Sequence, residues 1–245
     1  CTPAPSPSPQ ERSSIEYGFL WNMPNYGEVT FGDASTDWTA TSAPQVDYFV
    51  TTFGTTSGGT AQAGADILKQ YVDAVGHVPM LPEYSAGYWH SRNRYDSQEH
   101  LLEAAQGFYN RSIPVDIIVV DYHHWVHMGD WCFDPKAWPD VPDMMKQLEA
   151  MNMKLMVSVW PFSAVGSSSI GDVSNGSLAV RDATDKEPVW WDDNNCNAKC
   201  YLLDQSMNQT RRYFWSRLDA GYYKHGIKIF WLDASEPEIS TADAR

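Results

Sequence analysis

From Glu83 onward, short apolar runs alternate with stretches of helical periodicity. Residues 84–89 predict a strand. The DSQE of 96–99 is a capping-box start, and Leu101, Leu102, Ala105, Phe108 and Tyr109 follow at helical spacing. VDIIVVD (115–121) reads as a strand buried on both faces. A helix from about Pro142 carries Met145, Leu148 and Met151 on one stripe, with Asn152 as its left-handed cap. LMVSVW (155–160) is the next strand. A polar insertion over 162–200 precedes a helix at about 207–224 that ends near Gly226, and IKIFWLD (227–233) is the last strand. Apolar strands alternating with helices predict a parallel α/β fold.

Ahead of this region the pattern differs. Residues 1–14, CTPAPSPSPQERSS, read as a Pro/Ser-rich linker or tail. Over 15–56, aromatic and β-branched runs at 17–21, 28–31 and 46–52 are separated by Pro, Asn and Gly and predict antiparallel sheet. Residues 57–82 form a connecting segment with a helix over 65–75. Only four strands fit into 83–245, whereas a complete eight-stranded barrel takes ~250 residues. There is no G-x-G-x-x-G and no Walker loop, so the α/β region is expected to be the first half of a barrel, four βα units, with the remainder outside this sequence.

Charge narrows the partners. Seventeen Lys and Arg against 31 Asp and Glu give a net charge of -14, and no basic run could neutralise a row of phosphates. Nucleic acid and anionic membrane surfaces are thereby disfavoured. The longest apolar runs fall far short of the ~20 residues a membrane helix needs. The chain starts with Cys1 and shows no charged-then-apolar leader, so the natural N-terminus is expected to lie elsewhere. Four cysteines are too few for a disulfide scaffold. Cys196 and Cys200 stand close in DDNNCNAKC and read as a local disulfide or two idle thiols rather than half a zinc site. Sequons at Asn110, Asn175 and Asn208 point to a secretory route.

The chemistry is expected at the strand ends, where Trp89, Asp121, Trp160 and Asp233 stand. Parallel α/β folds carry their sites at C-terminal strand ends, because the loops there converge on one face. Asp at such a place also serves as a helix N-cap, and Trp also serves as core packing. Trp at a barrel mouth, in contrast, offers a flat face to a sugar ring.

FWLDASEPE (230–238) resembles the nucleophile motif of glycoside hydrolase family 31, aromatic-W-x-D-x-x-E-P. YGFLWNMPNYGEVTFG (17–32), VDIIVVDYHHW (115–125), GDWCFDPKAWPD (129–140) and KLMVSVWP (154–161) resemble further segments of that family in the same order. The resemblance spans roughly 15–245 and is closest to the α-xylosidase-type branch, with Ala234-Ser235 where the common α-glucosidase form has Met-Asn. It implies that residues 15–56 are the C-terminal strands of a β-sandwich domain, followed by a (β/α)8 TIM barrel and retaining hydrolysis of α-linked sugars. It implies Asp233 as nucleophile, Glu236 as support for the nucleophile loop, and Asp121 as the residue that binds sugar hydroxyls. Trp89, Trp160 and Trp231 would line the same subsite. The general acid of the family comes from a later strand, beyond Arg245.

His123, His124 and His127 follow a strand in a loop and lack the H-E-x-x-H of a zinc helix, so no metal is expected and His124 is read as a donor to sugar hydroxyls. His123 stands where the family often has an aromatic residue. GSSSIG (166–171) lacks the spacing of a serine nucleophile elbow. The expectation is therefore a secreted or lumenal α-xylosidase-like enzyme that takes an oligosaccharide or small α-glycoside and needs no cofactor. An α-glucosidase or transglycosylase of the same family, or a non-catalytic carbohydrate-binding paralogue, are the alternatives. Oligomeric state has no signal in the sequence.

Overall fold

The computed structural model describes residues 15–235 apart from 24, 42, 55–58, 176, 182–187 and 194–197. It divides the chain into two units, Cys1–Met80 and Leu81–Arg245. The expected linker over 1–14 lies outside the described residues.

The first unit contains β1 (Ile15–Trp21), β2 (Gly27–Phe31), β3 (Thr36–Ala40), β4 (Tyr48–Gly54) and α1 (Gly59–Val75). β1 pairs antiparallel with β4, and β2 with β3. β3 had no counterpart in the sequence reading, because TDWTA offers a single aromatic among polar residues. Trp38 gives it a role: its ring lies 4.9 Å from Phe19 and 5.8 Å from Trp21, linking the two pairs. The opposite face of β1 and β4 receives α1. Phe49 meets Tyr71 edge-on at 5.4 Å, and Gly18 leaves the space that the Ile67 side chain fills. α1 also starts six residues before the predicted helix.

The second unit begins with a single 3-10 turn at Glu83–Ala86. Then come β5 (Trp89–His90), α2 (Gln98–Asn110), β6 (Ile117–Val120), α3 (Val141–Ala150) and β7 (Lys154–Val159). The strand expected over 84–89 is thus mostly turn, and β5 is two residues long. After β7 come β8 (Phe162–Ala164), α4 (Ile170–Asn175), β9 (Trp190–Asp193), β10 (Ala198–Leu202), α5 (Asn208–Gly221) and β11 (Ile229–Leu232).

β5, β6, β7 and β11 form one parallel sheet in their chain order, with a helix in each connection. Every new strand adds to the same edge. A doubly wound sheet reverses direction at a switch point, whereas a barrel wall does not. Both faces are covered, which explains the unbroken apolar run in β6. One face packs Ile118, Val120, Val157 and Val159 into a core with Leu101, Met144, Leu148 and Leu218 from the helices. The other face gathers Ile117, Val119 and Met156.

Local signals set the helix ends. The side chain of Ser97, rather than Asp96, caps α2 by accepting from the N–H of His100 at 3.2 Å. Asp140 caps α3 in the same way through the N–H of Asp143, at 3.0 Å. Asn152 adopts φ 59° just past α3, as its αL tolerance allows. α3 is rotated by one residue from the expected stripe: Met144 and Leu148 are fully buried, while Met145 and Met151 pack at the margin. Gly221 is required by a close approach, since a Cβ there would fall on the Trp131 carbonyl oxygen. The expected polar insertion holds a small antiparallel sheet, β8-β10-β9. Its Phe162, Ala164, Cys200 and Leu202 bury against Trp125 and Trp160. Cys200 is disulfide-bonded and Cys132 is free; Cys196 lies outside the described residues.

Candidate active site

The face of the sheet that carries Ile117, Val119 and Met156 continues toward the C-terminal strand ends with period two. It reaches Asp121 after β6, Ser158 and Trp160 along β7, and Trp231 and Asp233 along β11. Ser158 and Trp231 are register partners, and the Asp233 N–H extends the ladder to the Val159 carbonyl at 3.1 Å.

Donors converge on the Asp233 carboxylate. The indole N–H of Trp160 donates to Oδ2 at 2.9 Å, and the Ser158 hydroxyl reaches the same oxygen at 3.4 Å. Oδ1 accepts from the N–H of Ala234 at 2.9 Å. That last bond requires a sharp turn, and Ala234 sits at φ 51°, a left-handed conformation that costs a non-glycine residue about 1 kcal/mol. An ionised carboxylate is acceptor-only, so these contacts fix its orientation while stabilising its charge.

Asp121 stands beside it, 9 % exposed, with Oδ1 accepting from the N–H of Tyr122 at 2.8 Å. Burial pushes its pKa above the usual carboxylate range, and the negative charge of Asp233 adds to the rise. The Tyr122 N–H and the Arg94 guanidinium oppose it. Tyr122 stacks on Trp160, with centroids 5.2 Å apart and planes 18° from parallel, and Arg94 lies 5.7 Å from the Tyr122 centroid. The next residue, His123, has φ 61°.

The structure brings Asp121, Trp160, Trp231 and Asp233 to one face and separates two other expected residues from them. Trp89 pairs with Ile117 at the N-terminal edge of β6, so it lies at the opposite end of the sheet from Asp121. The two-residue β5 ends too early to carry it to the mouth. Arg94, five residues on, is the side chain that this connection brings to the site. His124 is 1 % exposed and cannot meet a sugar: Nδ1 lies 2.9 Å from the Asp121 carbonyl and Nε2 lies 2.7 Å from the Tyr222 hydroxyl. Trp160 uses its N–H on Asp233, and one face of its ring is covered by Tyr122, so its contact is with the carboxylate. Glu236 lies outside the described residues. Asp130 spends its oxygens on the N–H groups of His127 and Ser168, each at 2.8 Å. Among the described residues no three His, Cys, Asp or Glu are grouped as metal ligands.

A carboxylate held at a strand end, beside a second carboxylate and an aromatic wall, suits attack on or stabilisation of an electron-poor carbon. Residues 78–244 match the family model described as "Glycosyl hydrolases family 31 TIM-barrel domain". The chain belongs to glycosyl hydrolase family 31.

Family 31 relatives extend over nearly all of the chain. Alpha-xylosidase A of Aspergillus niger is 37% identical over 94% of this chain and 30% of its own length. An uncharacterised family 31 glucosidase, ORF2, of Pseudescherichia vulneris is 34% identical over 96% of this chain and 42% of its own length. Among solved structures, a family 31 α-xylosidase from a soil metagenome, complexed with xylose, superposes with a TM-score of 0.80 at 36% identity. That match covers 93% of this chain and 32% of the other. The chain therefore spans less than half the length of these relatives.

Ser158, Tyr122, Arg94 and Tyr222 were not foreseen. Ser158 had a signal, since a hydroxyl inside a buried strand needs a partner, and its partner is Asp233. Arg94, in the polar stretch HSRNRY, and Tyr222, 98 residues from His124, had none.

Proposed function

We propose that this chain carries the nucleophile half of a retaining α-glycosidase of the α-xylosidase type, acting on terminal α-linked sugars. The observation that carries the reading is the Asp233 carboxylate, held at the end of β11 by Trp160, Ser158 and the N–H of Ala234. Glycosidic cleavage passes through an oxocarbenium-like state, and a fixed negative charge beneath the anomeric carbon stabilises it. In the retaining mechanism the same oxygen then bonds to that carbon, giving a glycosyl-enzyme that water hydrolyses. Asp121 holds sugar hydroxyls beside the reacting carbon, Trp231 lines the subsite one layer down, and Glu236 supports the loop after the nucleophile. The acid that protonates the leaving oxygen belongs to a later strand.

The sequential parallel sheet supports four βα units of a (β/α)8 barrel, and the antiparallel pairs of the first unit support the end of a β-sandwich. The α-xyloside preference rests on the similarity to the two xylosidases. An oxidising, secretory location is supported by the disulfide at Cys200.

The test is made in the natively expressed protein. Asp233→Gly abolishes turnover, because charge and covalent acceptor are both lost. Azide added to this variant attacks from the vacated face, and with an α-linked substrate a single displacement yields a β-glycosyl azide. Asp121→Ala lowers activity without abolishing it, and azide does not restore what is lost. Rescue of the Asp121 variant and not of Asp233 would reverse the two assignments, and an α-azide product would refute retention.

A further inference from the structure

His124 and Tyr222 are both completely buried, and the mechanism above uses neither. Their bonds have a direction. Nδ1 faces a carbonyl, which only accepts, so Nδ1 carries the proton and donates to Asp121. In the neutral ring Nε2 is then an acceptor, and the Tyr222 hydroxyl donates to it. Burial pushes the His124 pKa down to about 4 and that of Tyr222 well up, so one stays neutral and the other stays protonated at ordinary pH. The imidazole is wedged among Trp125, Phe133 and Tyr222, at 4.6, 5.0 and 5.6 Å between ring centroids. Its own carbonyl accepts from the N–H of Asp134 at 2.7 Å. Tyr222 follows α5, and its ring packs 6.3 Å from Phe230 of β11.

We infer that His124 and Tyr222 are positioning residues: a buried hydrogen-bond relay that sets the backbone of Asp121 from the connection leading into β11, the strand that carries Asp233. The relay explains how one of the paired carboxylates keeps its place beside the other. The Asp121 backbone leads through Tyr122 into His123 at φ 61°, a turn conformation uncommon for residues other than glycine. The His124 N–H clamps the carbonyl at that turn, and Tyr222 fixes the ring that makes the clamp. Because the relay acts through Asp121, it rests on the reading of Asp121 as a substrate-binding residue.

The test compares two substitutions in the natively expressed protein. An Asn side chain places its amide near the position of Nδ1, and a Gln side chain places its amide near that of Nε2. His124→Gln loses the donor to Asp121 and lowers kcat/KM by about tenfold, the scale of sub-ångström misplacement of a binding group. His124→Asn keeps the donor and restores most of that loss. Both are measured on an activated aryl α-xyloside, with thermal midpoints to confirm that they remain folded, and again in an Asp121→Ala background. There the Asn–Gln difference vanishes, because the group being positioned is gone. Tyr222→Phe, which keeps the ring packing, gives a milder loss with the same dependence on Asp121. Equal Asn and Gln values in the wild-type background, or the same tenfold difference with Asp121 removed, overturns the relay. An Asp121→Ala protein as active as wild type overturns the reading of Asp121 itself, and the relay with it.

Discussion

Lowering the pH from about 7 to about 4 should unload stability through a single imidazole, that of His124. Its pKa falls from the ordinary 6.5 to about 4, with burial as the main cause and the neighbouring His123 charge adding to it. The Asp121 carbonyl bonded to Nδ1 works against the fall. In the unfolded chain the ring takes a proton below 6.5, while in the folded chain it does so only below about 4. Between those values the unfolded state holds more protons, so stability rises with pH across the window. The contribution is fully present above the window and is lost as pH falls through it. At 1.36 kcal/mol per pKa unit, the full loss is about 3 kcal/mol. The assay is urea unfolding of wild type and His124→Asn, followed by tryptophan fluorescence in steps across the window. The variant has no titrating ring, so the gap between the two curves closes toward acid by about 3 kcal/mol. Other groups titrate in both proteins and cancel in the difference. Parallel curves would refute the argument, since they would mean that His124 takes up its proton as easily folded as unfolded.

Two further outcomes follow from the same geometry. Trp160→Phe keeps a ring against Tyr122 but removes the donor to Asp233; a hydrogen bond to a charged group contributes about 1.5–3 kcal/mol, so kcat should fall roughly 10- to 100-fold. An unchanged kcat in a folded variant would remove Trp160 from the site. Arg94→Met deprives Asp121 of a cation that opposes the rise caused by burial and by Asp233, so the acid limb of kcat/KM should move to higher pH. Arg94 is 41% exposed, so the move should shrink with added salt, and an acid limb that stays in place would show that Arg94 does not act on Asp121.

Much of the architecture was legible along the chain, because it depends on local pattern. The continuous apolar run of β6 announces a strand covered on both faces, and the sheet has it there. Asn152 and Gly226 mark helix ends by left-handed backbone, at φ 59° and 94°. Asp121 and Asp233 were readable for a similar reason, since apolar strands have no packing need to finish on a carboxylate. Strand ends follow from hydrophobic period, and the family motif around Asp233 pointed to the same residue.

What the sequence by itself determined was therefore the set of elements and the two acidic strand ends. Tertiary structure decided which residues stand level with them. Trp89 shows why: a run of aromatic residues does not reveal register, and pairing with Ile117 puts it at the far end of the sheet while Arg94 arrives instead. His124 shows it again, because a histidine in a polar-looking loop offers no sign that Tyr222, 98 residues later, will bury it and take its Nε2. Trp160 was expected as a stacking surface, yet its N–H is aimed at Asp233 across the pairing of β7 with β11. Periodicity is local and survives in one dimension. Hydrogen-bond partnership is a matter of distance and direction in three, and it exists only after the strands have been laid side by side.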